Sequence, residues 1–196
     1  MTKKELRHEI LKKRDELSLR ERKEKSQIIT QSVCEHESYQ LAEQVLVFAS
    51  YKTEVDTDAI IQQALHDGKK VYFPRIENGS MDFYQVTDRQ QLIDGYCGIK
   101  EPVAKDDTRF VPLSQNILIL MPGSVFDKAG CRIGYGRGFY DRFLQKHIIG
   151  PTWKNITTMA LAFSCQIVEM NTIEQDAYDV RVQYLVTEDG IHACHE

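Results

Sequence analysis

Apolar residues along this chain follow two rhythms, one recurring at about 3.6 residues and one in short unbroken runs. Leu6, Ile10 and Leu17 keep the first rhythm and predict a helix over residues 3–17. Ser18-Leu19-Arg20-Glu21 then spells a capping box, in which a serine and a glutamate three positions on satisfy each other's backbone N–H groups. A second helix carrying Ile28, Ile29 and Val33 is expected to start there. Residues 45–49 (VLVFA) keep the other rhythm, a continuous apolar run of the kind a strand buried on both faces requires. Ile60, Ile61, Ala64 and Leu65 return to helical spacing over 58–66 and stop at Asp67-Gly68, where glycine suits a left-handed cap. A strand at 71–73 follows, then an Asn78-Gly79 hairpin turn into a strand at 81–86. Further on the pattern predicts a strand at 117–121 (ILILM), a helix at 139–146, a strand at 159–163 and a last strand at 184–187. Short, wholly apolar strands separated by helices predict an α/β fold, a three-layer α/β/α sandwich around a largely parallel central sheet.

Composition narrows the class. A chain of 196 residues suits one domain spanning 1–196, and its 42% apolar and 28% charged fractions exclude a disordered or fibrous protein. No apolar run approaches the ~20 residues that cross a bilayer, and the charged start lacks a signal-peptide centre, so a cytoplasmic location is expected. Cys34, Cys97, Cys131, Cys165 and Cys194 are scattered and odd in number, which favours reduced thiols. His192-Ala193-Cys194-His195 has no second cluster to complete a metal shell and reads as a frayed tail. The net charge of −4 is uneven: residues 1–25 carry ten Lys or Arg against six Asp or Glu, leaving −8 for the remainder. Because those cations are interleaved with acids, a solvated helix face or contact with a small anion is favoured over nucleic acid.

The chemistry concentrates in MPGSVFDKAGCRIGYGRGFYDRFL, residues 121–144. Gly134, Gly136 and Gly138 alternate just before a helix, so backbone N–H groups can approach an anion at the helix's positive end. Arg132 and Arg137 flank them with permanently charged, planar donors. Together these describe a polyphosphate cradle, although alternate glycines can also serve a bulged turn or close strand packing. Neither common cradle is present: G-x-x-x-x-G-K-[ST] is absent, and Phe139 stands where a dinucleotide fingerprint needs its third glycine. Asp141, just inside the helix, is either an N-terminal cap or a carboxylate meeting a cation.

The string Arg132-Ile133-Gly134-Tyr135-Gly136-Arg137-Gly138-Phe139-Tyr140-Asp141 resembles the signature of the 5-formyltetrahydrofolate cyclo-ligase family. Pro122-Gly123, Phe126-Asp127, Gly130, Lys3, Arg7, Glu54-Val55-Asp56-Thr57 and Asp179 match in the same order over essentially the whole chain. Arg137 departs from the glycine or lysine expected there, Phe139 from tyrosine, and Gln183 from an aspartate found in some members. The resemblance implies a fold like that of sugar-phosphate isomerases and coenzyme A transferases, and an ATP- and magnesium-dependent closure of 5-formyltetrahydrofolate to 5,10-methenyltetrahydrofolate. It implies ATP contacts from Lys3, Arg7 and residues 132–140, namely Arg132, Ile133, Gly134, Tyr135, Gly136, Arg137, Gly138, Phe139 and Tyr140. It assigns Glu54, with Tyr135 and Phe139, to the folate, and Asp141 and Asp179 to Mg2+. The same rings could instead pack in the core, and Glu54 could be an ordinary loop acid. No catalytic nucleophile, nucleic acid or membrane is implied, and a monomer is expected. The competing readings are an isomerase or acyl-transfer enzyme on the same fold, and a non-catalytic nucleotide- or RNA-binding module using the basic first helix.

Overall fold

The structure, a computed structural model, describes residues 2–112, 116–148 and 155–194, together with the backbone but not the side chain of Ile148. Trp153 and His195 lie outside the described residues. Two capping boxes start the chain: Thr2 with Glu5 begins α1 (Lys3–Asp15), and Ser18 with Glu21 begins α2 (Leu19–Glu35). A short α3 (Glu37–Leu41) leads into β1 (Gln44–Leu46), and α4 (Asp58–His66) into β2 (Lys70–Glu77). Gly68 takes φ +72° at the end of α4, as the left-handed cap requires. Asn78 and Gly79 both have positive φ, and β2 turns there into antiparallel β3 (Ser80–Val86). A two-stranded ribbon, β4 (Ile93–Asp94) with β5 (Lys100–Glu101), precedes β6 (Ile117–Met121). Then come β7 (Val125–Asp127), β8 (Arg132–Ile133), α5 (Phe139–Ile148), β9 (Ile156–Leu161), β10 (Ile167–Val168), β11 (Tyr184–Thr187) and β12 (Gly190–Ala193).

The main sheet has seven strands in the order β12-β11-β9-β6-β1-β2-β3. Its five inner strands run parallel, and β12 and β3 pair antiparallel at the edges. Alternation along the strands divides the core. Val45, Val47, Leu118 and Leu120 face Ile29 and Val33 of α2 and Ile60, Ile61 and Ala64 of α4. Leu46, Ile117, Ile119 and Met121 face the other way, towards Phe143 and Leu144 of α5. Helices on both faces explain why these strands are apolar at every position. A third cluster joins Ile10 of α1 to Val125, Ala129, Cys131 and Ile133, so α1 lies over a small sheet ordered β10-β7-β8.

This topology selects a place for ligands. The chain leaves β1 for a helix on one face and β6 for a helix on the other, and β1 and β6 are parallel neighbours. Neighbouring strands whose following helices diverge form a topological switch point, and the crevice lies at their carboxyl ends.

Several sequence expectations need correction, among them the strand expected at 45–49, which spans Gln44–Leu46, and the helix expected at 3–17, which ends at Asp15. Residues 184–187 are not the last strand, and His192 and Ala193 are not part of a frayed tail: β12 pairs back along β11 from Thr187↔Gly190 to Tyr184↔Ala193. The polar-apolar mixture of GIHA hid an edge strand, which needs only one buried face. The strand placed at 159–163 begins earlier, at Ile156, because Thr157 and Thr158 take part in the pairing with β6.

Candidate active site

The floor of the crevice is built between β6 and α5. The buried Asp127 carboxylate accepts from Ala129 N and Cys131 N, both at 3.0 Å, and from Ile173 N at 3.3 Å. Those bonds fold the β7–β8 hairpin and attach the 167–182 segment to it. Gly130 has φ +83°, and a Cβ there would stand 2.4 Å from the Val182 carbonyl oxygen, a backbone atom with no freedom to yield. Gln166, also buried, donates to the carbonyls of Gly123 and Ser124 at 3.0 and 3.1 Å. The glycine loop therefore stands on a base fixed by polar groups distant in sequence.

In the loop itself, Gly136 (φ +91°) and Gly138 (φ +61°) adopt left-handed backbone that favours glycine. Arg7 reaches across from α1, its Nε donating to the Gly134 carbonyl at 2.9 Å. Its guanidinium lies 3.6 Å from where a Cβ on Gly136 would be. A Cβ on Gly134 would meet the Arg132 guanidinium at 2.9 Å. Among the described residues, the N–H groups of 135–137 donate to no protein acceptor, so they stand open beside two arginines.

Asp141 and Asp179 are each held by a cation. Buried Arg132 donates to Asp141 Oδ1 at 2.9 Å, and Val180 N approaches the same oxygen at 3.4 Å, which brings the 179–180 segment beside α5. Asp141 is thus occupied by partners outside its own helix rather than by capping it. Lys3 binds Asp176 at 2.7 Å and Asp179 at 3.0 Å. Desolvation opposes its charge, but the two carboxylates outweigh that cost and raise the Lys3 pKa. Arg132 also lies over the Tyr140 ring at 5.7 Å, and two buried polar atoms here, Arg132 Nε and Tyr140 Oη, have no protein partner. Unpaired buried donors are costly, so their presence together marks a surface shaped for something else.

The other wall comes from the loop after β1. Glu54 accepts from Tyr51 N at 2.9 Å and from the Tyr135 hydroxyl, and Arg14 donates to that hydroxyl at 2.9 Å. Burial pushes the Glu54 pKa up, while the bonds from Tyr135 and Tyr51 and the charge of Arg14 act against that push. Tyr135 remains 48% exposed, so the pair is enclosed at its sides and open above.

Other residues of the signature fall elsewhere. The Ile133 side chain is buried under α1. Arg137 is exposed, with its carbonyl accepting from Arg142 at 2.7 Å. Phe139 lies under the Arg142 guanidinium at 5.1 Å, and Tyr140 packs edge-on to Phe83 at 6.2 Å, so the core-packing alternative holds for Tyr140. Gln183 is knitted into the sheet through Thr158, its Oε1 accepting from Thr158 N at 2.7 Å. Sequence reasoning missed Arg14, Thr53, Gln166 and Glu188, whose settings depend on partners far along the chain. Among the described residues, no group of three His, Cys, Asp or Glu side chains is arranged to hold a metal. Asp141 and Asp179 lie on adjoining segments, with Val180 N 3.4 Å from Asp141 Oδ1, and two carboxylates suffice for magnesium only where phosphate oxygens and water complete its octahedron.

Volume alone would point elsewhere. A cavity of about 370 Å³ opens beside Arg75, Asp82, Arg109 and Lys146, and one of about 220 Å³ lies at the amino ends of β6 and β9. Both are away from the glycine loop.

An open α/β sheet with cations and a glycine loop at its switch point defines a ligand-binding enzyme of the anion-handling kind. Comparison with known proteins agrees. Residues 1–188 match the model of the 5-formyltetrahydrofolate cyclo-ligase family. The mouse 5-formyltetrahydrofolate cyclo-ligase is 34% identical over 192 residues, covering 94% of this chain and 93% of that protein. The Escherichia coli K12 protein of the same name is 34% identical over 153 residues, covering 75% and 79%. The solved structure of Aquifex aeolicus 5,10-methenyltetrahydrofolate synthetase superposes with TM-score 0.81 at 30% identity, covering 100% of this chain and 94% of that one. A Mycoplasma pneumoniae 5,10-methenyltetrahydrofolate synthetase shares the fold, with TM-score 0.73 at 22% identity over 96% of this chain and 99% of that one. The chain belongs to the 5-formyltetrahydrofolate cyclo-ligase family.

Proposed function

We propose that this protein closes 5-formyltetrahydrofolate to 5,10-methenyltetrahydrofolate with ATP and magnesium, releasing ADP and phosphate. The observation that carries the reading is a convergence. The Arg7-braced glycine loop, the Arg132–Asp141 pair and the Glu54–Tyr135 pair all meet at the carboxyl ends of β1 and β6.

The formyl oxygen attacks the γ-phosphate, giving a phosphorylated formyl group and ADP. The amine at position 10 then closes the five-membered ring, loses its proton, and phosphate leaves. Phosphoryl transfer asks the protein for alignment and charge neutralisation rather than a covalent nucleophile. Lys3, Arg7, Arg132 and the open N–H groups of 135–137 hold the phosphates. Asp141 and Asp179 would hold Mg2+, which supplies neutralisation of developing phosphate charge. Glu54 accepts from the pterin's ring N–H and amino groups, with Tyr135 beside it as a rim. A monomer in the cytoplasm is part of this reading, and nucleic acid and membrane are not. Among the described residues, no helix is long and apolar enough to cross a membrane.

The test is the growth of the methenyl product's near-ultraviolet absorbance with folate, ATP and magnesium together, and its failure on omission of any one. ADP release should be slow with ATP alone and rise when the folate is added. Equal release with and without folate would overturn the reading.

A further inference from the structure

Arg14, with its partner Thr53, belongs to this constellation although no sequence motif singled it out. It is buried at 5% exposure although it sits on the most basic helix of the chain. A buried guanidinium must be paired to be tolerated. Arg14 spends its donors on two loops: Nε on Thr53 Oγ1 at 3.1 Å and one terminal nitrogen on the Tyr135 hydroxyl at 2.9 Å. Thr53 precedes Glu54 on the loop after β1, and its hydroxyl is fixed in turn by Asp15. Tyr135 belongs to the glycine loop and donates to Glu54. Helical spacing puts Lys3, Arg7 and Arg14 along one face of α1. Two of those cations serve the phosphate half of the crevice, and the third reaches the carboxylate half.

We propose that Arg14 is a positioning residue for substrate recognition. It accommodates the Tyr135 hydroxyl as that group turns its proton towards Glu54, so that the Glu54 carboxylate is held between Tyr135 and the Tyr51 amide. The inference rests on the cyclo-ligase reading and extends it to a residue that need not touch the folate. Its chemistry follows from the bonding pattern. The tyrosine hydroxyl has one proton, and because Arg14 only donates, that proton is left for Glu54. Burial disfavours the Glu54 charge, and three things resist it: the Tyr135 bond, the Tyr51 amide and Arg14. Tyr140, from α5, also senses Glu54, and its own pKa is pushed up, first by burial and then by Glu54, so it stays neutral.

The test compares Arg14→Gln, Arg14→Lys and Tyr135→Phe with the parent enzyme by steady-state kinetics, varying folate and ATP separately. In Arg14→Gln the KM for 5-formyltetrahydrofolate should rise about tenfold, as for loss of one charge-assisted contact, with kcat and the KM for ATP within about twofold. The acid limb of kcat/KM for the folate should move to higher pH in Arg14→Gln. Arg14→Lys, which keeps the charge without the two-pronged reach, should restore the limb and leave the KM raised. If Arg14 acts through Tyr135, the Arg14→Gln/Tyr135→Phe double variant should be little worse than Tyr135→Phe alone. Equal losses for ATP and folate that track a fall in melting temperature, or additive effects in the double variant, would overturn the proposal. An inactive parent enzyme would instead overturn the cyclo-ligase reading, so the two failures are distinguishable. Should Arg14→Gln fold poorly, Arg14→Lys with Tyr135→Phe carries the same comparison.

Discussion

The two ends of α5 each meet an aspartate gripped by cations, and the contrast between them separates a site from a surface. At the start of the helix, Asp141 is held by buried Arg132, next to open backbone N–H groups and the unpartnered Arg132 Nε and Tyr140 Oη. At its end, Asp82 of β3 is held by Arg109 and Lys146, whose side chains are about half exposed. The larger cavity lies at the second place, beside Asp82. Yet the cations there are already matched to their acids in water-accessible positions, where an ion pair contributes ~1 kcal/mol or less. At Asp141 the cation itself is buried, and Arg132 Nε and Tyr140 Oη lack a protein partner. An unpaired atom alone does not separate the two ends, since His147 Nε2 beside Asp82 also lacks a hydrogen-bond partner; a buried cation next to the glycine loop does.

Replacing the two aspartates tests this directly, and the largest effect is expected at Asp141. Asp141→Asn keeps the size and removes the charge, and turnover should fall by about two orders of magnitude, the scale of a lost charge-neutralising contact in a transition state. The magnesium requirement should weaken, with Asp179→Asn following to a smaller degree. Because Asp141 is the partner of buried Arg132, the melting temperature should also fall, so turnover is compared at a temperature where the variant remains folded. Normal turnover with normal magnesium dependence would remove Asp141 from the metal assignment.

Next in size is Arg7→Ala. Its guanidinium braces the Gly134 carbonyl and lines the approach to Gly136. A loss of about 10- to 100-fold in kcat/KM for ATP is expected from one or two charge-assisted bonds, with folate kinetics less affected. Equal effects on both substrates would show that Arg7 holds the loop rather than the nucleotide.

The same contrast explains what could be read from the residues alone. The strands at the centre of the sheet are apolar at every position because both faces are covered, so ILILM was legible without any partner in view. Asn78-Gly79 and Ser18-Glu21 encode their own local geometry. The glycine string is legible for the same reason, since its backbone requirement is written in consecutive residues. Arg14, Gln166 and Glu188 were not legible, because a buried polar residue looks like a surface one until its partners are placed. Glu188, for instance, is buried only because Lys25 and Ser164 arrive from α2 and the segment after β9. The strands β7, β8 and β10 are two or three residues long, too short for any period to register. Arg14 did leave one trace, its place on the α1 face shared by Lys3 and Arg7.

At the other end of α5, Asp82→Asn should leave folate and ATP kinetics within about twofold and cost about 1 kcal/mol of stability or less, since its partners Arg109 and Lys146 return to water. A loss of turnover comparable to that of Asp141→Asn would overturn the distinction between the two ends.

The smallest expected effect concerns His147, and it sharpens the comparison through pH. The ring is 18% exposed and packs tilted against Phe143 at 4.5 Å, with Phe110 beyond it at 6.1 Å. Burial first, then the charges of Lys146 and Arg109, push its pKa below the usual histidine value, and Asp82 at 3.9 Å only partly offsets them. In the unfolded chain His147 takes up a proton near pH 6.5, whereas in the folded chain it does so only at lower pH. Between those two values the unfolded state binds more protons, so stability rises with pH there. The contribution is complete above about pH 6.5 and is lost as pH falls towards the folded value. Denaturant melts between pH 7.5 and 5 should show this as a shallow slope beyond that of the carboxylates. His147→Phe, which keeps a ring against Phe143 and cannot titrate, should flatten the slope. Asp82→Asn should steepen it, because the offsetting negative charge is gone. If His147→Phe leaves the slope unchanged, the imidazole titrates alike in the folded and unfolded chain, so Asp82 offsets its burial in full and the two ends of α5 are more alike than their burial implies.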